Sequence, residues 1–391
     1  MEQTHYQHDN PAPSLFHLFT SFLRLGTTAF GGPAMVAYIR KMAVEKNHWL
    51  DDHSARDGVA LCQTIPGATA MQMSAYIGFR ARGVGGAAAS FIGFGLPAFL
   101  FMMILSALYV QTHTLPAVVS AFNGLQAIVV ALVANATLSF GRASIKNWRN
   151  VINALIAGGL FGLKINPILV ILIAAFLGIT LYHKQPVPPA VGPTKKGHAP
   201  KSLLGILSVT AVGFGALFLV NRRLFDLATL MFRIDLFAFG GGFASVPLMF
   251  HEVVEVRSWL DAPTLLNGIA LGQVTPGPIV ITATFIGYLL RGPPGGLIAT
   301  ICVFLPSFMI VVGTVPYFDR LRSSPYFRKV ITGIFCSFVG LLLTVTIRFA
   351  LDIPWDVPRI LLSGAAFIAL VLKVDILWVV IIGTVISLII L

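Results

Sequence analysis

Charge is what this 391-residue chain has least of. Asp, Glu, Lys and Arg together make up 11% of it, against about 25% in an ordinary soluble domain. Acid is scarcest. The only glutamates are Glu2, Glu45, Glu252 and Glu255, and all stand outside the apolar runs. Clustered acids, paired histidines and a framed nucleophile are missing, which argues against a membrane-embedded enzyme such as a lipid phosphatase. A G-x-x-x-x-G-K-[ST] loop is also missing, which argues against a self-powered ATPase. Cysteine is limited to Cys62, Cys302 and Cys336, each inside an apolar run. No structural disulfide, metal cluster or cofactor is expected from that pattern. His5 and His8 lie in a polar tail without ligand spacing. That tail lacks Lys and Arg, which is wrong for the n-region of a cleavable signal peptide.

What is present is apolar. Apolar residues form 56% of the chain, in runs of roughly 17 to 25 residues that are each long enough to cross a bilayer as a helix. The expectation is an all-α, polytopic membrane protein with about thirteen transmembrane helices. The formal charge of +12 sits mostly in short loops. Topology and lipid headgroups explain it better than nucleic acid does. By composition the chain divides into a polar tail (1–13), a first repeat (14–182), a flexible Pro-, Gly- and Lys-rich linker (183–201), an extra helix (202–220) and a second repeat (221–391). Among the expected spans are 14–39, 57–80, 224–250 and 263–290.

The two halves repeat each other at an offset of 209 or 210 positions. Arg24 pairs with Arg233, and Phe30-Gly31-Gly32 with Phe239-Gly240-Gly241. Glu45, Trp49 and Asp51 pair with Glu255, Trp259 and Asp261. Gly58, Gln63, Pro66 and Gly67 pair with Gly268, Gln273, Pro276 and Gly277. Arg82-Gly83 pairs with Arg291-Gly292, and Pro97 with Pro306. Six spans, one extra and six more would place the second half upside down, the inverted-repeat plan of many secondary transporters. The loops on the tail's side carry the excess of Lys and Arg, which puts the N-terminus in the cytoplasm.

The FGGP/FGGG pair, the ALCQTIPG/ALGQVTPGP pair and FLPSF at Phe304–Phe308 resemble the chromate ion transporter family, in particular its long, two-domain bacterial members. The resemblance covers about 16–351. It implies export of chromate across the bacterial inner membrane, conferring resistance, with sulfate or another tetrahedral oxyanion as the alternative cargo; the proton gradient is the expected driving force. Monomer and homodimer both stay open. One departure is Ala68, where the family usually has proline; the second half keeps Pro278. Another is GLPAF at Gly95–Phe99 against FLPSF.

A tetrahedral dianion in a low-dielectric site needs N–H donors and positive charge. A helix broken at Pro-Gly offers both, because the next segment begins with free N–H groups and the positive end of its dipole. Glycine lets backbone approach the ion. The expected binding residues are therefore Gly31, Gly32, Gln63, Pro66, Gly67, Gly240, Gly241, Gly242, Gln273, Pro276 and Gly277. Close helix packing is the competing reading for the glycines. Arg24 and Arg233 lie about ten residues into their spans, where arginine costs roughly 2.5–3.5 kcal/mol. They either attract the dianion or snorkel to the headgroups. Asp226, seven residues before Arg233, is placed to neutralise it. Asp235, replaced by Gly26 in the first half, is the candidate proton carrier. Asp51 and Asp261 read as helix caps.

Overall fold

The computed structural model describes residues 13–30, 32–181, 201–318 and 324–391. The tail to residue 12, Gly31 and linker residues 183–200 lie outside the described residues. Among the described residues there are fifteen α-helices and no strand beyond an isolated bridge.

Helix α1 (Leu15–Thr28) begins at Ser14, whose hydroxyl accepts the His17 N–H at 3.0 Å. After Ala29 the chain turns back through α2 (Gly32–Lys41) and a π-helical turn, Met42–Lys46. Trp49 records the reversal, since its ring lies 5.6 Å from His17 and 6.2 Å from Phe22 near the start of α1. Helix α3 (Asp52–Thr64) is capped by Asp51, which accepts the Ser54 N–H at 2.8 Å. It ends at Ile65-Pro66-Gly67-Ala68, and α4 (Thr69–Thr112) comes back beside it. The Tyr76 hydroxyl donates to the Ser54 carbonyl at 2.9 Å, and the Tyr76 ring fills the space beside Gly58. The chain then reverses again at Arg82-Gly83, inside α4. Gly83 has φ +61°, a conformation glycine adopts without strain. The Ser90 hydroxyl donates back to the Ser74 carbonyl at 2.7 Å across this turn.

The first half finishes with α5 (Pro116–Ser144), α6 (Trp148–Gly162) and α7 (Pro167–Leu181), and α8 (Lys201–Val220) leads to the second half. There the plan repeats. α9 (Arg222–Phe237) turns back through α10 (Ser245–Met249) and a π-helical turn, Phe250–Val256. α11 (Ala262–Val274), capped by Asp261, turns back at Thr275-Pro276-Gly277-Pro278 into α12 (Thr282–Thr314), which reverses at Arg291-Gly292. α13 (Pro325–Asp352), α14 (Val357–Val371) and α15 (Ile376–Ile390) follow. The caps expected at Asp51 and Asp261 are in place.

Four of the expected spans, 14–39, 57–80, 224–250 and 263–290, are thus folded back on themselves. The reason is local: the helix breaks at Ala29, at Ala238 or at a Pro-Gly pair, and the chain reverses there. Five segments among the described residues are long and apolar enough to cross a membrane: Thr69–Thr112, Pro116–Ser144, Ser202–Val220, Ile279–Tyr317 and Pro325–Asp352. The expected number of about thirteen rested on giving every apolar run one crossing.

The halves interlock. α5 of the first half packs on α14 and α15 of the second, while α13 packs on α6 and α7. Small residues make these seams close. The Ser387 hydroxyl donates to the Ser120 carbonyl at 2.5 Å and accepts the Gly124 N–H at 3.1 Å. The Thr344 hydroxyl donates to the Gly158 carbonyl at 3.1 Å, opposite Gly340. In a bilayer, where apolar surface gains little by leaving lipid, such close approach and hydrogen bonding carry the association.

Candidate functional site

The hairpin tips of the two halves meet. Gly67 donates its N–H to the Ala238 carbonyl at 2.9 Å, and Gly277 donates to the Ala29 carbonyl at 3.1 Å. Pro66 and Phe239 form an antiparallel bridge. Each Pro-Gly tip therefore pairs with the alanine that precedes Phe-Gly-Gly in the opposite half. Gly67 (φ +121°) and Gly277 (φ +110°) hold a backbone that L side chains rarely adopt. A Cβ on Gly67 would strike the Ser307 hydroxyl, and one on Gly277 would lie 2.8 Å from the Ala98 methyl.

Beside this contact is a cavity of about 430 Å³. Gln63, Gln273, Gly240, Gly241, Gly242 and Gly277 line it, so six of the expected residues converge on one space. Thr69 and Ala70, the first residues of α4, line it too, and no side chain caps that helix start. The uncapped N–H groups and the helix dipole favour an anion there. The side-chain nitrogen of Gln273 is shielded from solvent and has no hydrogen-bond partner among the described residues. A buried amide left that way costs about 1–3 kcal/mol, and an oxyanion in the cavity would satisfy it.

The charge on this cavity is Arg40, which sequence reasoning missed. It sits in α2 and pairs with Asp52 at the start of α3. That bond to Arg40 holds the Asp52 carboxyl below its usual range. Arg40 stands just past the expected span 14–39, and only the folding-back of that span brings it to the cavity.

Other expected residues stand elsewhere. Pro66, Gly67 and Pro276 form the tips rather than the cavity wall, and Gly32 opens α2. Gly31 is outside the described residues. Arg24 is exposed and lines a second, separate cavity. Arg233 bonds Glu252 at 3.3 Å. Its counter-ion is thus Glu252 and not Asp226, which lies about 10 Å away along the helix. Glu252, outside the apolar runs in the sequence, is 5% exposed.

The halves also differ at one connected point. Ser307 donates its hydroxyl to Asp235 Oδ2 at 2.7 Å and its N–H to the same oxygen at 2.9 Å. The Ala68 N–H donates to the Ser307 oxygen at 2.9 Å. In the other half these positions are Ala98, Gly26 and Pro278, which have no hydroxyl, no carboxyl and no N–H. Three departures from the repeat, two of which read as unrelated in sequence, form a single chain. Asp235 is fully buried, makes no ion pair among the described residues, and its Oδ1 has no hydrogen-bond partner there. No group of His, Cys, Asp and Glu that could hold a metal occurs among the described residues.

The family described as Chromate transporter matches residues 16–179 and again 225–388. The chain belongs to the chromate transporter family. Its two matched segments coincide with the two halves seen in the fold, and each contains both hairpins. This family member is a multi-pass membrane transporter. It is 44% identical over 386 residues to an uncharacterized transporter of Methanocaldococcus jannaschii, covering 97% of this chain and 95% of that one. It is 29% identical to a probable chromate transport protein of Synechococcus elongatus, over 93% of this chain and 91% of that one. Identity is again 29% to a chromate transport protein of Cupriavidus metallidurans, over 94% and 90%. No solved structure matches the transporter.

Proposed function

We propose that the transporter carries chromate, or a tetrahedral oxyanion of the same size and charge such as sulfate, through the cavity at the hairpin tips. The observation that carries this reading is the shielded nitrogen of Gln273, without a partner among the described residues, on the cavity that Gln63, Arg40 and Gly240–Gly242 also line. An unpartnered amide donor beside an arginine favours an anion. The 29%-identical relatives named as chromate transport proteins support the cargo.

The halves are read as inverted in the membrane. The first-half hairpins enter from the end where α4 turns at Gly83. The second-half hairpins enter from the end where α12 turns at Gly292. Tips that meet from opposite sides, with broken helices at mid-depth, suit alternating access. The tail's end carries Lys41, Lys46, Arg56, Arg80, Arg82, Arg142, Lys146 and Arg149, and the other end carries fewer, among them Lys164, Arg222, Arg223 and Arg291. That excess favours a cytoplasmic N-terminus in a bacterial inner membrane. Asp235, at the tip contact and without a cation among the described residues, is the residue proposed to carry the coupling proton. Export of chromate then confers resistance.

Uptake of labelled chromate into inverted vesicles, with and without a proton gradient and with excess sulfate, tests this. Gradient-dependent uptake that sulfate barely affects is expected. Sulfate uptake without chromate uptake would move the cargo to sulfate, and uptake of neither would end the oxyanion reading.

A further inference from the structure

The two halves treat the same arginine differently. In the second half Arg233 bonds Glu252, which Arg257 also holds. A carboxylate whose side chain is 6% exposed thus sits between two guanidinium groups. In the first half Arg24 keeps the place of Arg233, but the place of Glu252 is taken by Met42. The backbone fixes that register. Asn47 donates to the Met42 carbonyl at 3.1 Å as Arg257 donates to the Glu252 carbonyl at 3.2 Å. Trp49 donates to Ala43 at 2.8 Å as Trp259 donates to Val253 at 2.8 Å. The left-handed residues His48 (φ 50°) and Ser258 (φ 49°) also coincide. The arginine is retained and its carboxylate is missing.

Space lies where that carboxylate would be. A cavity of about 780 Å³ opens between α1 and the returning arm, with Arg24, Lys41, Met42, Lys46 and Asn47 on its wall. Among the described residues three cations face it against one carboxylate, Glu45. Arg24 makes no ion pair among the described residues, although it lies only five residues before the tip. α2 is the wall between the two cavities: Arg40 faces the central one and Lys41 this one. The second half supplies its own oxyanion, as a side chain, at a position the first half leaves open.

We propose that this cavity is a second oxyanion site, separate from the central one, in which a bound oxyanion takes the position held by the Glu252 carboxylate in the other half. Its ligand is a group with two or more anionic oxygens, supplied either as the free tetrahedral dianion or as the phosphate of a lipid headgroup. As a loading site for the transported anion it rests on the oxyanion reading above; as a binding site it does not.

Met42→Glu builds the missing carboxylate into the chain and tests the proposal. Two readouts are taken: labelled chromate uptake across a concentration series, and equilibrium binding of labelled chromate to purified protein in nanodiscs. In zwitterionic nanodiscs the unaltered protein should bind two chromates per chain and Met42→Glu one. In vesicles Met42→Glu should raise KM at least tenfold more than Met42→Gln does, with kcat kept within twofold. Arg24→Gln, at an exposed position, should also lose one bound chromate, and it decides the matter if Met42→Glu fails to fold. Nanodiscs with phosphatidylglycerol separate the two sources. A drop to one chromate there, with none lost on Met42→Glu, assigns the site to the headgroup; two chromates there assign it to the free anion. Equal binding by the unaltered protein, Met42→Glu and Arg24→Gln in zwitterionic nanodiscs would overturn the site. No chromate uptake by the unaltered protein would sink the transport reading while the binding difference still decides the site.

Discussion

Ser307 holds one oxygen of Asp235 twice, through its hydroxyl at 2.7 Å and its backbone N–H at 2.9 Å, and accepts the Ala68 N–H in turn. The chain ties the first half's Pro-Gly tip to the second half's α9 and α12. Ala68 has φ −75°, a value proline shares. Ala68→Pro should therefore fold, lose one hydrogen bond worth about 0.5–1.5 kcal/mol, and loosen the tip. A thermal midpoint only slightly lowered, with transport reduced several-fold, is expected. Unchanged transport would separate the chain from function.

Asp235→Asn keeps the shape and still accepts from Ser307, but carries no exchangeable acid proton. Chromate movement in this variant should no longer respond to a pH gradient, while exchange of chromate for chromate persists. Gradient-driven accumulation by Asp235→Asn, measured in proteoliposomes, would assign the proton to another residue.

The ion pair of Arg233 and Glu252 predicts unequal costs in the two halves. Removing one partner of a buried pair costs about 3–5 kcal/mol. Arg233 is 39% exposed, so the figure is discounted for solvent. Glu252→Gln should lower stability by about 2 kcal/mol on that reasoning. Arg24→Gln, without a carboxylate to strand, should change it by less than about 0.5 kcal/mol. Denaturation in nanodiscs compares them, and equal losses would contradict the assigned pairing.

Asp52 is held below the usual carboxylate range by Arg40. A carboxyl lowered on folding stabilises above its unfolded pKa, about 3.9. That stability is lost as pH falls through the lower, folded value. Arg40 is thus occupied at neutral pH. Asp52→Asn frees its charge toward the central cavity and should lower the KM for chromate about three-fold or more, on the scale of an exposed ion pair. A raised or unchanged KM would mean that Arg40 does not face the anion.

Much of the candidate site was legible in the sequence. The repeat located both pairs of tips, because glycine, proline and tryptophan mark backbone and interface geometry that substitution cannot preserve. Gln63, Gln273 and Gly240–Gly242 meet as their spacing suggested. The folding-back of four spans was not legible. An apolar run broken at Pro-Gly is equally compatible with a kinked crossing and with a hairpin, and only contacts such as Tyr76 with Ser54 distinguish them. Arg40 was hidden by the same ambiguity, and Glu252 by its nearness to Trp259. Ala68 and the weaker match of GLPAF to FLPSF were visible as separate departures. That they join Asp235 through one hydroxyl follows from packing between residues 72 and 239 positions apart.

The measurement that bears most directly on the central cavity pairs transport with stability in Gln273→Leu. The variant removes a shielded amide that has no partner among the described residues. If that nitrogen waits for an oxyanion, chromate kcat/KM should fall at least tenfold while the thermal midpoint stays level or rises, since a buried unsatisfied group is gone. Transport at the unaltered rate, or a loss of transport that merely follows a loss of stability, would contradict the account.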